Sequence, residues 1–258
     1  MTVDLTECRA KIERANEHRE VLNAIVAPLL NWEAELFQMS AKLDPESGDH
    51  VFRVAAVPEE WRLEVGVILG DIVHNLRSAL DYLFWQLYCH YIRVPRSPRE
   101  AEQVQFPIED TKNRLANKRV HFNKIPPSQW AVIDSAQPYN GSHYPSRAIK
   151  ALRDLSNRDK HQVLNPPLLT SMVVSFADAV PTHRATAPLR IPDPPKRLEV
   201  GAEVVRMPFP PDVDAEVEMA GYVFPTVRLP ELDTTLIRGV DIMIHAVRLI
   251  VDSIEAEL

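Results

Sequence analysis

The chain has 258 residues, 45% apolar and 25% charged, a balance that supports a soluble globular core and excludes disordered, collagen-like and disulfide-scaffold classes. A net charge of −7 argues against nucleic-acid binding by bulk charge, while a local basic face keeps RNA open as a partner. Only 7 Gly accompany 22 Pro, and no Gly-x-Gly-x-x-Gly, Walker or Gly-x-Ser-x-Gly motif occurs, which removes Rossmann dehydrogenases, P-loop NTPases and ordinary α/β-hydrolases.

Cys8 and Cys89 are far apart and form no Cys-x-x-Cys pair, so two reduced thiols are expected rather than a zinc ribbon or redox motif. The N-terminal stretch is charged and has no apolar signal core. The longest apolar stretches, such as Ile25–Leu30, fall far short of the roughly 20 residues that span a bilayer. These features point to a cytoplasmic protein with no membrane partner.

In chain order, residues 3–43 read as helix, with Ile12, Ala15, Leu22, Val26, Leu29 and Leu36 at helical spacing and a break near Ala27 imposed by Pro28. Asp44-Pro-Glu-Ser-Gly-Asp is a turn, and His50–Val57 a short strand. Pro58-Glu-Glu-Trp opens a second long helix that runs to about Tyr91, with Pro near its start and acids in its first turn. Residues 92–142 read as irregular, with an extended piece at Val104–Ile108, helical stretches near 111–118 and 128–136, and a turn at Gln137-Pro-Tyr-Asn-Gly. Tyr144–His161 is a third strong helix, stopped by Asn165-Pro-Pro.

The texture then changes. Met172–Phe176, Glu203–Met207 and Tyr222–Phe224 are β-branched runs, and ten of the fifty residues 181–230 are proline, which rules out helix and predicts short strands. The Pro-rich 188–211 segment reads as a rigid loop between strands. Leu232–Leu258 is an amphipathic helix with Val240, Met243, Ile244, Val247, Ile250, Val251 and Ile254 on one face. The fold class is therefore α+β, mainly α. It is a single domain over 1–258, with a helical body of 1–165 and 230–258 carrying a small antiparallel β insertion at 166–229.

Chemistry concentrates on two helices. On the second, Ile72, Leu76, Ala79, Leu80, Leu83 and Leu87 form an apolar face, and Asp71, His74, Asn75, Ser78, Asp81 and Tyr82 a polar stripe. Arg77 borders that stripe and reaches Asp81 at i,i+4. On the third, Asp159 falls on the side of Ile149, Leu152 and Leu155, so a partner such as Arg77 or His74 is expected. His161 closes the same segment. His74, Asn75, Arg77, Asp81, Asp159 and His161 are thus the candidate members of a polar network between helices. His74, Arg77, Asp81, Asp159 and His161 are its catalytic candidates, and Asn75, Arg147, Lys150 and Arg158 its binding candidates. The alternatives are a buried network that only fixes helix register, and a helix end whose Arg158, Lys160 and His161 complement the dipole.

His74-Asn-Leu-Arg-Ser-Ala-Leu-Asp, Phe106-Pro-Ile, Gln137-Pro-Tyr and Asp159-Lys-His together resemble a family of uncharacterised bacterial proteins common in actinobacteria, over most of residues 60–165. That resemblance implies a grouping and no mechanism. A looser resemblance is to HEPN proteins, helical ribonucleases and nucleotide-binding proteins whose hallmark is an Arg and a following His on one helix with four to six residues between them. Arg114…His121 and Arg238…His245 match, and a chain of this composition supplies about two such pairs by chance. Asp71 with His74 and Asp241 with His245 have metal-pair spacing, but bridging glutamates are missing and no metal or other cofactor is expected. Neither cysteine has an assignable base, and Ser78 sits in a helix interior unsuited to a nucleophile. The sequence thus points to a binding or assembly protein, with homo-oligomerisation through an amphipathic helix. A metal-independent HEPN-like ribonuclease is the first alternative, and a metal-dependent hydrolase or oxidase the second.

Overall fold

In the computed structural model, residues 3–29, 38–56, 61–141, 144–161, 168–176, 199–208 and 221–258 are described. Seven α-helices form among them: α1 (Thr6–Leu29), α2 (Trp61–Tyr91), α3 (Pro98–Gln103), α4 (Lys112–His121), α5 (Pro127–Ser135), α6 (Tyr144–His161) and α7 (Leu236–Glu255). The strands are β1 (Gln38–Leu43), β2 (His50–Ala56), β3 (Leu168–Phe176), β4 (Glu203–Met207), β5 (Gly221–Leu229) and the two-residue β6 (Thr234–Thr235). The protein is α+β and mainly α. Among the described residues no helix is long and apolar enough to cross a membrane.

The chain divides into two compact units, one of Met1–Leu22, Gly66–Pro166 and Glu231–Leu258, the other of Asn23–Val65 and Pro167–Pro230. The first is a helical bundle. Its α1 runs antiparallel to α2, because Asp4, Cys8 and Lys11 meet Gln86, Ala79 and Asn75 in reverse order. It also runs antiparallel to α7, through ion pairs of Arg9 with Asp252 and Glu255, Glu13 with Arg248 and Arg19 with Asp241. The apolar faces read from the sequence are the faces that pack: Ile72, Leu76, Ala79, Leu80, Leu83 and Leu87 of α2 are all buried, as are all seven residues of the apolar face of α7. Phe84 lies at the centre of an aromatic cluster, edge-on to Phe106, Phe122 and Trp130 at 6.3, 4.9 and 6.2 Å.

Two sequence expectations need correction. Residues 38–43 are strand, not helix: β1 pairs antiparallel with β2, from Met39 opposite Val54 to Leu43 opposite His50. Gln-Met-Ser-Ala-Lys-Leu alternates polar and apolar residues over its whole length, a strand pattern that the reading of 3–43 as one helix passed over. The stretch 92–142 is also more regular than its polarity suggests. Ser97 caps a short α3, its hydroxyl accepting from the Glu100 N–H at 3.2 Å, with Pro98 at the first turn. The capping signal Ser-Pro-Arg-Glu was there to be read.

In the second unit, β1, β2 and β4 form one antiparallel sheet. The β1–β2 hairpin turns through Gly48 at φ +72°, a backbone state that favours glycine. Asp44 holds this turn, accepting from the Ser47 hydroxyl at 2.9 Å and from the Arg206 guanidinium of β4. Those hydrogen bonds, Arg206 first, lower its carboxyl to a pKa of about 2. β3 and β5 pair antiparallel, and Pro225 sits at their register shift, where a missing donor costs no regular ladder bond. The two extra residue runs predicted as strands, 172–176 and 222–224, fall inside β3 and β5.

Candidate functional site

Two residues of the polar stripe of α2, Asn75 and Asp81, are spent on structure, together with the bordering Arg77. Arg77 pairs with Asp81 at 2.8 Å and donates from Nη2 to the Phe106 carbonyl at 2.9 Å, while Asp81 Oδ1 accepts from the Phe106 N–H at 2.9 Å. The i,i+4 pair therefore holds both polar groups of one peptide residue, which fixes the extended 104–108 piece against the bundle. Asn75 is buried. Its amide donates to the Asp71 carbonyl of its own helix at 2.8 Å, and its oxygen accepts from Lys11 at 3.3 Å.

His74 is exposed, and no hydrogen bond or ion pair joins it to Asp159 among the described residues. Nor does Asp159 reach Arg77. It abuts Gly70 instead, so α2 and α6 do touch, but one helical turn before His74 and two before Arg77. The proposed convergence of His74, Arg77, Asp81 and Asp159 therefore reduces to Arg77 with Asp81. His161 closes α6, and its side chain lies outside the described residues.

The binding candidates of α6 also have structural partners. Lys150 pairs with Asp154 at 2.7 Å and Arg158 with Glu231 at 2.7 Å, and Arg147 donates to the Leu232 carbonyl at 3.3 Å. Arg153 bridges Asp154 and Asp110, each at 2.8 Å. Burial would raise the Asp154 carboxyl, but hydrogen bonds from Lys150 and Arg153 outweigh it and lower the pKa. Among the described residues no group of three or more His, Cys, Asp and Glu is placed to hold a metal. Asp241 is committed to Arg19, at 2.8 Å.

A cluster of unpaired basic residues lies on and just after α4. Residues 112–124 hold five Lys/Arg and one His with no Asp or Glu, in a chain of net charge −7. The helix begins where the Thr111 hydroxyl accepts from the Arg114 N–H at 3.3 Å, and it ends in a basic last turn that suits the dipole. Leu115 is its one buried residue; Phe122 follows as the cap and packs edge-on against Phe84. Two cations are anchored, Lys118 on Glu109 at 2.7 Å and Arg119 over the Trp130 ring at 5.7 Å. Lys112, Arg114, His121 and Lys124 are exposed, and their side chains make no hydrogen bond or ion pair among the described residues. Arg114 and His121, seven apart, share the outer side of α4 with Asn117. The other matching pair, Arg238 and His245, lies on α7, where His245 packs beside Tyr144 at 5.6 Å and the neighbouring positions serve the ion pairs to α1.

Beside the first turn of α4 lies an open cavity of about 560 Å³, lined by Lys112, Ala131, Asp134, Ser135, Asn140 and Pro145. Its polar residues are hydrogen-bonded within the same turn. The Asn140 amide donates to the Asp134 and Ser135 carbonyls at 2.5 and 3.2 Å, and the Tyr139 hydroxyl donates to the Asp134 carboxylate. Burial, with that bond, raises the Tyr139 pKa. No family model matches the chain, and no curated protein and no solved structure matches it.

Proposed function

We propose that the protein is a binding protein whose recognition element is α4, and that its partner is RNA held by its phosphate backbone. The observation that carries this is the set of exposed, unpaired cations Lys112, Arg114 and Lys124, with the imidazole of His121 among them, on one acid-free segment of an acidic chain. Side chains that already satisfy one another do not need a ligand, and the candidates on α2 and α6 with defined partners are of that kind. Arg, Lys and Asn are the donors that phosphates, sugars and base edges accept from. An acidic protein partner would call for aromatic or aliphatic anchors, and Val120 is the one large apolar residue exposed on α4.

Fluorescence anisotropy with a 12-nucleotide single-stranded RNA tests the reading. Three to four neutralised phosphates predict a loss of affinity of about twenty- to fiftyfold between 50 and 200 mM salt. Arg114→Glu with Lys124→Glu is expected to abolish binding while the far-ultraviolet spectrum stays native. RNA binding that survives this double change overturns the reading. So does equal displacement of the RNA by polyglutamate, which would assign the face to acidic polypeptides.

A second reading is favoured by the alignment of Arg114 and His121: a metal-independent ribonuclease in which Arg holds the phosphate and His moves the proton. Seven residues span about 10.5 Å of helix rise, so the two side chains would have to lean toward one phosphate between them. Cleavage products that disappear in His121→Ala would favour this reading over binding alone.

A further inference from the structure

We infer that the cavity beside α4 is a nucleotide seat, holding one unstacked ribonucleotide of the single strand whose backbone α4 engages; this rests on the RNA-binding reading above. Lys112 joins the two features. It is the first residue of α4 and also lines the cavity, so a phosphate that it holds is both the end of the cationic row and the mouth of the pocket.

The volume of about 560 Å³ lies within the range of small-ligand sites and suits a nucleoside better than a bare ion. The lining divides by chemistry. Lys112 offers positive charge at one place. Asp134 and the Asn140 side-chain oxygen offer acceptors elsewhere, and Ala131 and Pro145 supply apolar wall. Phosphate oxygens need the first, base N–H groups the second, and a base face the third.

The acceptors are also held in place. Asn140 spends its amide on the Asp134 and Ser135 carbonyls, which turns its oxygen into the free end. Tyr139 fixes the Asp134 carboxylate while leaving it lone pairs to accept with. A paired duplex keeps its bases stacked and does not present one to such a site, whereas an unpaired strand does.

Isothermal titration of the full chain with the four nucleoside 5′-monophosphates tests this, beside the 12-nucleotide RNA titration. At least one monophosphate is expected to bind the wild type at millimolar concentration or better. Ala131→Trp, which fills the cavity from an exposed helix position, is expected to remove that binding and to leave most salt-sensitive RNA affinity in place. Lys112→Ala is expected to weaken both by roughly tenfold, as one lost charge contact does. Arg114→Glu with Lys124→Glu is expected to abolish RNA binding and spare the monophosphate. If no monophosphate binds while the RNA does, the seat is wrong and the α4 reading stands. If monophosphate binding is unchanged in Ala131→Trp, the seat is likewise overturned. If monophosphate binds and RNA does not, the cavity is a nucleotide site and the α4 reading fails.

Discussion

The carboxylate of Asp159 lies where a side chain on Gly70 would have to go: a Cβ at Gly70 would sit 2.9 Å from Asp159 Oδ1 and 3.4 Å from its Cγ. Gly70 is buried inside α2, where glycine costs about 1 kcal/mol relative to alanine. The close approach of α6 explains its presence. Gly70→Ala should therefore gain little or lose stability in the wild type, because Asp159 has to turn aside. In an Asp159→Ala background the same change should stabilise by close to the full propensity difference. Urea unfolding of the four proteins measures the coupling, expected at about 1 kcal/mol; additive effects would show that the two side chains do not compete for space.

Arg77 and Asp81 give a second test. Asp81→Ala leaves the Phe106 N–H without its acceptor and Arg77 without its counter-charge in a partly buried position. A loss of about 2–3 kcal/mol is expected by denaturant titration. Asp81→Asn keeps an acceptor and should lose about half as much. If both changes fall within experimental error of the wild type, the peptide clamp does not contribute to stability.

Acid should weaken the β1–β2 hairpin in a defined window. Asp44 has a folded pKa of about 2 against an ordinary value of 3.8, so the proton binds the unfolded state first as the pH falls. The stabilisation is present above the ordinary value and is lost between about pH 4 and pH 2. Asp44→Asn should lower stability at pH 7 and flatten the decline over that window. Unfolding midpoints from pH 7 to 2 compare the slopes, and equal slopes would assign the acid sensitivity to other carboxylates.

The two thiols should differ in reactivity. Cys8 is buried and donates to the Ala79 carbonyl at 3.1 Å; burial raises its pKa to about 12. Cys89 is only partly buried, and burial raises its pKa to a smaller extent. Iodoacetamide at pH 8 should modify Cys89 first and Cys8 only after denaturant is added, as mass spectrometry of timed samples would show. Early modification of Cys8 would mean that the α1–α2 contact opens in the native state.

The contrast between α7 and α4 shows what the sequence made legible. α7 announces itself because its apolar face repeats at helical spacing over twenty residues, and every residue named on that face is buried. α4 buries only Leu115, so the helical stretch read near 111–118 rests on little apolar period, and the Thr111 cap and the contacts of Phe122 and Arg119 with the aromatic cluster hold it. The exposed cations that define the candidate site therefore sat in a stretch that reads as irregular. Arg114…His121 was visible as a spacing. That His245 of the other pair lies beside Tyr144 rests on a contact more than 90 positions apart that no local pattern encodes. The α2 stripe misled for a related reason: Asn75 and Asp81 do find partners, but these are Lys11, Arg77 and the backbone of Asp71 and Phe106 rather than the side chains of α6.

The pairing of α1 with α7 also dictates an order of events during synthesis. Arg9 waits for Asp252 and Glu255, 243 and 246 positions later, while the segments that build the second unit emerge in between. A nascent α1 can meet α2 early, yet the flank that α7 covers stays uncovered until α7 itself has emerged. A chain stalled before residue 236 therefore presents an unfinished apolar seam to whatever chaperone or neighbour it encounters first.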